Sequence, residues 1–280
     1  MRPERIDSML AIVTVPICPL KTAPEGGAEL ADEVLYGMAV ELLQRRGRWA
    51  QVRTRYRYLG WAPGQCLLTG EEAEVWEELP KAAVLRKHTC DVVCRPAFEA
   101  AVLLTLPLGS VLAPVGEARD GWQRVALCDG QRGWVRESVL GPCLAAPPFA
   151  DEERLRVLIV ENARRYMGAQ YRWGGKTPLG IDCSGLASMA YLLSGICIYR
   201  DAKLMEGFPI HEIPLEQAKP GDLLYFPGHI AVYLGEGRYI HSTGKAGSDG
   251  VCVNSLNQSD PDYRADLREK LEKAGSLWVN

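Results

Sequence analysis

The stretch GIDCSGLASMAYLL, Gly180 to Leu193, sets Asp182, Cys183, Ser184 and Gly185 directly ahead of a run with apolar residues at helical spacing. Asp and Ser are helix-capping types, so the pattern predicts a helix that starts at Cys183. A free cysteine is ordinarily a small buried hydrophobe. This one differs in its place, because the unpaired N–H groups and dipole of a first helical turn stabilise a thiolate. Gly180 and Gly185 permit a sharp turn and leave room for a reactant. A thiol so placed needs a base, and the chain holds only four histidines.

Two of them stand downstream in a β-rich region, where DLLYF, HIAVYL and RYIHS are separated by Gly and Pro signals. His229 opens HIAVYL and His241 closes RYIHS, with the turn Gly235 to Gly237 between them. In a hairpin, both residues come from the open ends of adjacent strands and can be neighbours. One imidazole could take the thiol proton while a second polar group fixes its tautomer and orientation, so Cys183, His229 and His241 can fill the three roles of a nucleophile, base and orienter set. His88 and His211 lack such partners and read as surface or loop residues.

Upstream, DEERLRVLIVENARRYMG has acids in its first turn and Gly168 at its end, the pattern of an amphipathic helix. Downstream, a helical DYRADLREKLEKAG and a closing SLWVN complete an α+β domain. The Pro/Ala-rich PCLAAPPFA, Pro142 to Ala150, separates this domain from the N-terminal half.

That half repeats itself. GRWAQVRTRYRYLGWAPGQCL (Gly47 to Leu67) and DGWQRVALCDGQRGWVRESVL (Asp120 to Leu140) align without a gap after their first tryptophans. Trp is followed three residues later by Val, twelve later by a second Trp preceded by Gly, and eighteen later by Leu. Val34, Leu35, Gly37 and Val40 match Leu106, Leu108, Gly109 and Leu112 in the same way. Short alternating runs punctuated by Gly predict two small β-barrels of about 60 residues each. The expected domains are residues 1–80, 81–145 and 146–280.

With 280 residues, 47% hydrophobic and 24% charged, the chain can bury sizeable cores. A net charge of −3 argues against a general nucleic-acid binder, and the basic RTRYR (Arg53 to Arg57) reads as a solvated strand face. No segment has the apolar run of a membrane span. The N-terminus, broken by Pro16 and Pro19, makes a poor signal peptide. Nine scattered cysteines do not form a disulfide framework and suit a reducing compartment. A cytoplasmic monomer is the expectation, with no nucleic-acid or membrane partner.

YRWGGKTPLGIDCSGL, KPGDLLYF, GHIAVYLGEGRYIHS and the repeated barrels together resemble the NlpC-type cell-wall cysteine peptidases, which have papain-like cores and carry bacterial Src-homology-3-like domains. The resemblance covers about Glu153 to the C-terminus for catalysis, and the barrels extend it over nearly the whole chain. The two barrels, the lack of a recognisable leader and YRDA (Tyr199 to Ala202) are more narrowly similar to the γ-D-glutamyl-L-diamino-acid endopeptidases that recycle murein peptides. These cut L-Ala-γ-D-Glu-diamino-acid peptides after D-Glu. The resemblance implies Cys183 as nucleophile, His229 as base and His241 as orienter, with no metal or organic cofactor. It places Tyr171 beside the nucleophile, Asp182 and Ser184 in the substrate pocket with Asp182 near the free amine, Arg200 as a pocket-ordering or carboxylate-binding residue, and Tyr58 as a wall of the amino side. The chain departs from the family at Tyr36, Gly37 and Met38, where YGE is usual; Glu33 or Glu41 could replace the missing acid.

Four other readings compete: a general hydrolase of intact peptidoglycan, a catalytically inactive wall-binding module, an acyltransferase on a permuted form of the fold, and a zinc site at His88, Cys90 and Cys94. In the permuted fold the histidine precedes the cysteine, whereas here the order is Cys, His, His. The HTCDVVC cluster lacks a second cysteine pair.

Overall fold

The computed structural model describes residues 4–278. It divides into two compact units, residues 1–143 and 144–280.

The N-terminal unit contains the repeat. Its first half has β1 (Glu4–Val13), β2 (Ile17–Lys21), β3 (Leu30–Leu35), β4 (Ala39–Arg46), β5 (Trp49–Thr54), β6 (Leu59–Pro63) and β7 (Leu67–Thr69). After α1 (Glu71–Glu78) come β8 (Ala82–Val84), β9 (Thr89–Val93), β10 (Val102–Pro107), β11 (Val111–Pro114), β12 (Trp122–Ala126), β13 (Arg132–Arg136) and β14 (Leu140–Pro142). The first sheet runs β3-β2-β6-β5-β4-β1-β7 and the second β10-β9-β13-β12-β11-β8-β14. Moving seven strands along the chain converts one order into the other, so the repeat is one of topology as well as residues.

The shared glycines have shared reasons. A Cβ on Gly60 would lie 2.7 Å from the Cβ of Leu20, and one on Gly133 would lie 2.3 Å from Cγ1 of Val92. Leu20 and Val92 occupy the equivalent strands β2 and β9. Gly37 and Gly109 both take positive φ, 75° and 93°, and their N–H groups donate to Val13 and Val84, each at 2.8 Å. In RTRYR, Arg53, Arg55 and Arg57 are exposed as expected, but the strand ends at Thr54, and Arg55 to Arg57 lie in the turn before β6, where the Arg57 N–H donates to the Thr54 carbonyl at 2.8 Å.

The two barrels share a core. Ile12, Tyr36, Ala73 and Trp76 pack in one cluster with Leu106, Leu112, Val125 and Val135. The Val111 N–H donates to the Tyr36 carbonyl at 2.8 Å, the Cys128 N–H donates to the Tyr36 hydroxyl at 2.8 Å, and Trp76 donates its indole N–H to the Gly37 carbonyl at 3.1 Å. Helix α1, which the sequence analysis did not anticipate, supplies Trp76 to this junction.

The C-terminal unit has α2 (Glu152–Arg164), β15 (Lys176–Thr177), β16 (Gly180–Ile181), α3 (Cys183–Leu192), β17 (His211–Ile213), β18 (Leu223–Phe226), β19 (His229–Gly235), β20 (Arg238–Thr243), β21 (Gly250–Ser255), α4 (Ala265–Lys270) and β22 (Lys273–Ser276). The sheet order is β17-β22-β18-β19-β20-β21. The expected α2 is capped by Asp151, which accepts from the Arg154 N–H at 2.8 Å. Residues 183–191 of α3 are all buried, as an apolar central helix should be.

The C-terminal expectation needs correction. The helix expected over DYRADLREKLEKAG is only α4, six residues long, and Lys273 to Ser276 are a strand between β17 and β18. Gly275 is a poor residue for a helix interior, and in the strand Ile210 and Tyr225 close to 2.7 and 2.9 Å of where its Cβ would stand. Of SLWVN, only Ser276 belongs to the strand, and Val279 and Asn280 lie outside the described residues.

Buried charge fastens this unit together. Arg156 of α2 donates to Glu152 at 2.8 Å, to Asp222 at 2.9 Å and to the Pro220 carbonyl at 2.9 Å, and stacks over Trp278. Asp222 also accepts from Ser276 at 2.6 Å and from the Lys219 N–H at 2.8 Å. The KPGD motif is therefore a structural knot that joins the first helix, the sheet and the last strand.

Candidate active site

Asp182 has extended backbone at the start of α3, and its carboxylate accepts from the Gly185 N–H at 2.5 Å. This cap sets Cys183 at the first helical position. The Cys183 side chain is buried, and its sulfur is within hydrogen-bonding reach of the main-chain N–H groups of Ile230 and Ser184. The first of these belongs to β19, one residue after His229, so the strand that carries this histidine passes the helix start.

Sheet register accounts for the histidines meeting. β19 and β20 pair with Val232 opposite Ile240, which places His241 opposite Ala231 and diagonal to His229 on the same face. The rings approach edge to face, with His229 Nε2 2.7 Å from His241 Nδ1. β20 and β21 pair with His241 opposite Cys252 and Tyr239 opposite Asn254. Period-two alternation puts Cys252 and Asn254 on that same face, and His241 Nε2 lies 2.9 Å from Asn254 Oδ1 and 3.6 Å from Cys252 Sγ. Sequence reasoning missed both residues; the alternation in GVCVNS, read against the RYIHS strand, was the signal for them.

Burial governs the protonation states. It lowers His229 to about 3, helped by His241 and Arg264, and lowers His241 to about 4 against the opposing hydrogen bond to Asn254. The Cys183 thiol is pushed up to about 11 by burial and then by the Asp182 charge, despite the N–H groups of Ile230 and Ser184 and the Arg200 cation. The thiolate expected from the helix start is thus outweighed by desolvation. At neutral pH the resting site is a thiol beside two neutral imidazoles.

Asp182 is more heavily used than expected. Its Oδ1 accepts from Gly185, Ser184 and Arg200, and its Oδ2 accepts from the Gly174 N–H at 2.7 Å and from Arg200 at 3.1 Å. Arg200 is 1% exposed and also donates to the Ser184 hydroxyl at 2.7 Å. These contacts turn the Asp182 carboxylate inward to a bidentate arginine and anchor it at the helix start. Arg200 thereby ties Asp182 and Ser184 together at the start of α3. The Tyr171 phenol is raised to about 12 by burial and by the charges of nearby Cys183 and Asp182. Trp173, in the same loop, is 61% exposed.

Tyr58 belongs to the other unit, where its N–H donates to Thr54 Oγ1 at 3.0 Å in the turn before β6. Met38 packs against the first barrel's core, Glu33 is buried, and Glu41 is lowered from the usual carboxylate value by hydrogen bonds from Ser8 and Arg53. His88 and His211 are both exposed, as expected. Cys90 points into the shared core while Cys94 is exposed, and among the described residues no three His, Cys, Asp or Glu side chains gather as a metal site. No described helix is long and apolar enough to cross a membrane.

The NlpC/P60 family model matches residues 168–265, and the model of the bacterial dipeptidyl-peptidase SH3 domain matches residues 20–67. Dipeptidyl-peptidase 6 of Lysinibacillus sphaericus is 41% identical over 276 residues, spanning 96% of this chain and 100% of the relative. A γ-D-glutamyl-L-lysine dipeptidyl-peptidase of Bacillus cereus is 26% identical over 236 residues, 76% of this chain and 67% of the relative. The crystal structure of a Bacillus cereus NlpC/P60 family protein superposes with a TM-score of 0.77 at 22% identity, covering 95% of this chain and 98% of that one.

Proposed function

The chain belongs to the NlpC/P60 family, and from that premise we propose that it is a cysteine endopeptidase that hydrolyses the γ-D-glutamyl-diamino-acid bond of murein stem peptides. The observation that carries the chemistry is Cys183 at a capped helix start, in reach of the Ile230 N–H of the strand whose His229 is hydrogen-bonded to His241. Each step uses a group already in place. His229 accepts the thiol proton as sulfur attacks the γ-carbonyl of D-Glu, forming the C–S bond. Main-chain N–H groups at the start of α3 stabilise the oxyanion. Collapse breaks the C–N bond and His229 returns its proton to the leaving amine. Water then attacks the thioester, giving its proton to His229, and the thiol is regenerated.

A resting thiol and neutral imidazole fit this order, since proton transfer accompanies attack and charge appears only once substrate has replaced water in the site. The finer reading is that the substrate is a free stem peptide with an amino-terminal L-Ala, used in peptide recycling inside the cell. The dipeptidyl-peptidase names of the relatives support release of a dipeptide.

The test incubates the protein with L-Ala-γ-D-Glu-L-Lys and with its diaminopimelate counterpart and identifies products by mass. L-Ala-γ-D-Glu and the free diamino acid are expected. A second arm supplies intact sacculi, and rapid solubilisation there would replace the recycling assignment with a general wall hydrolase.

A further inference from the structure

A chain of three hydrogen bonds runs from the main chain of the loop after β21 to His229. The Asn254 Nδ2 donates to the Asp262 carbonyl at 3.0 Å. A carbonyl cannot donate, so the amide nitrogen must face it, and Oδ1 must face His241. Oδ1 lies 2.9 Å from His241 Nε2, and since an amide oxygen only accepts, the proton between them is on Nε2. Cys252 Sγ, 3.5 Å from Oδ1, donates to the same oxygen, which has a second lone pair for it. With Nε2 protonated and the ring neutral, His241 Nδ1 is bare. It lies 2.7 Å from His229 Nε2, which must therefore carry the proton that joins them. That leaves His229 Nδ1 bare.

We propose that Asn254, oriented by the Asp262 carbonyl, is the positioning residue that sets the tautomers of both histidines and so makes Nδ1 of His229 the base for the Cys183 thiol. The proposal rests on the peptidase reading but is more specific. A third polar residue would orient His229 on its own; the fourth decides which nitrogen is basic. Without it, His241 could hold its proton on Nδ1, reverse the bond to His229, and leave the thiol facing an N–H. The buried setting gives the relay its authority, because each unpaired donor or acceptor in it would go unsatisfied.

The test reads tautomers directly, by long-range nitrogen–proton NMR of the full chain labelled with nitrogen-15 histidine at pH 7, with His229→Gln and His241→Gln spectra for assignment. Both rings are expected as Nε2–H tautomers. An Nδ1–H form of either ring overturns the proposal, whether or not the protein turns over any peptide. Failure to cleave every stem peptide with these tautomers intact would instead count against the peptidase reading alone.

Asn254→Leu supplies the second arm. A mixed or reversed His241 tautomer is expected, with kcat down about 10- to 100-fold and KM within about twofold, milder than the roughly 10⁴-fold loss when a triad histidine is held directly in the wrong tautomer. Unchanged tautomers in Asn254→Leu overturn the assignment.

Discussion

The two units bury different things. In the N-terminal unit the cores are aliphatic and aromatic, and few buried side chains carry charge; Asp32 and Glu33 are the acids among them. The C-terminal unit buries Arg156, Lys176, Asp182, Arg200, Asp222, His241 and Asn254. A barrel that only has to hold its shape can be filled with apolar residues of suitable volume. A site that must hold a thiol at a helix start and a base in one tautomer requires polar groups in fixed places, each with its partner. The contrast says which unit should tolerate exchange of shape-matched apolar residues and which should not.

The largest expected effect lies in the chemistry. Cys183→Ala should lower catalytic efficiency by at least about 10⁴-fold while leaving thermal stability within about 1 kcal/mol, because the sulfur is the nucleophile and only a small packing group. Progress curves on the stem peptide and a thermal melt check both halves. Activity within tenfold of wild type would end the nucleophile assignment.

Next comes the comparison itself. Arg200→Met approximately conserves volume but leaves Asp182 buried without its cation, at a cost of about 3–5 kcal/mol. Leu42→Met, a swap of similar conservatism in the fully buried core of the first barrel, should cost under about 1.5 kcal/mol. Denaturant midpoints decide it. Equal costs would mean that the polar interior of the C-terminal unit is no more exacting than the barrels.

Acid should find the same unit first. Both site histidines titrate lower in the folded protein than the usual 6.5, to about 3 and about 4, so between these values and 6.5 the unfolded chain binds more protons. Stability is therefore fully present above pH 6.5 and lost as pH falls, by at most about 1.4 kcal/mol per pH unit for each ring, and less for His229, which keeps some exposure. The raised thiol has the opposite edge: its contribution is lost as pH rises from about 9 towards 11. Melts from pH 7 to 4 should show a decline that flattens in His229→Gln/His241→Gln. Hydrogen exchange should show β19 to β21 losing protection before the barrels. An unchanged slope in the double variant would place the acid sensitivity elsewhere.

Thiol labelling tests the same protonation states. With Cys183 raised and buried, alkylation at pH 7 should reach the exposed Cys94 first, and the Cys183 rate should climb with pH towards 11. Mass mapping of early adducts decides between this and a preformed thiolate, which would label first.

What could be read from residues alone followed the same division. Periodicity and glycine punctuation carry the repeat, because the aliphatic packing of a strand has a period of two. The cap at Asp182 and the two strand-end histidines were also legible, each depending on local geometry. Asn254 was signalled only by the alternation of GVCVNS against the RYIHS strand, and the inward turn of Asp182 by nothing local. Both depend on partners 8 to 18 residues away, Asp262 in one case and Gly174 and Arg200 in the other. No local pattern announces which of several polar residues will be paired. The last strand was missed because KAGS looks helical beside its charged neighbours, and its extended form is set by pairing with the distant β17 and β18.

The smallest expected effects ask whether the two barrels are equivalent in detail. Gly60→Ala and Gly133→Ala should each cost about 1–3 kcal/mol by overpacking. Gly133 should cost more, since its new Cβ would meet Val92 Cγ1 at 2.3 Å, against 2.7 Å to the Leu20 Cβ from Gly60. The identity of the opposing atom matters more than the distance. Val92→Ala removes the atom that a Cβ at Gly133 would strike, so the pair Gly133→Ala/Val92→Ala should recover about 1–2 kcal/mol relative to the sum of its singles. Leu20→Ala keeps the Cβ that opposes Gly60 and removes only the Cγ and Cδ1 atoms beyond it, at 3.5 and 3.3 Å. Its pair with Gly60→Ala should therefore be additive to within about 0.5 kcal/mol. Two double-mutant cycles in urea measure the difference. Equal coupling in both would mean that the barrels relax around the new methyl groups in the same way, and that the repeat extends from topology into packing at the level of single atoms.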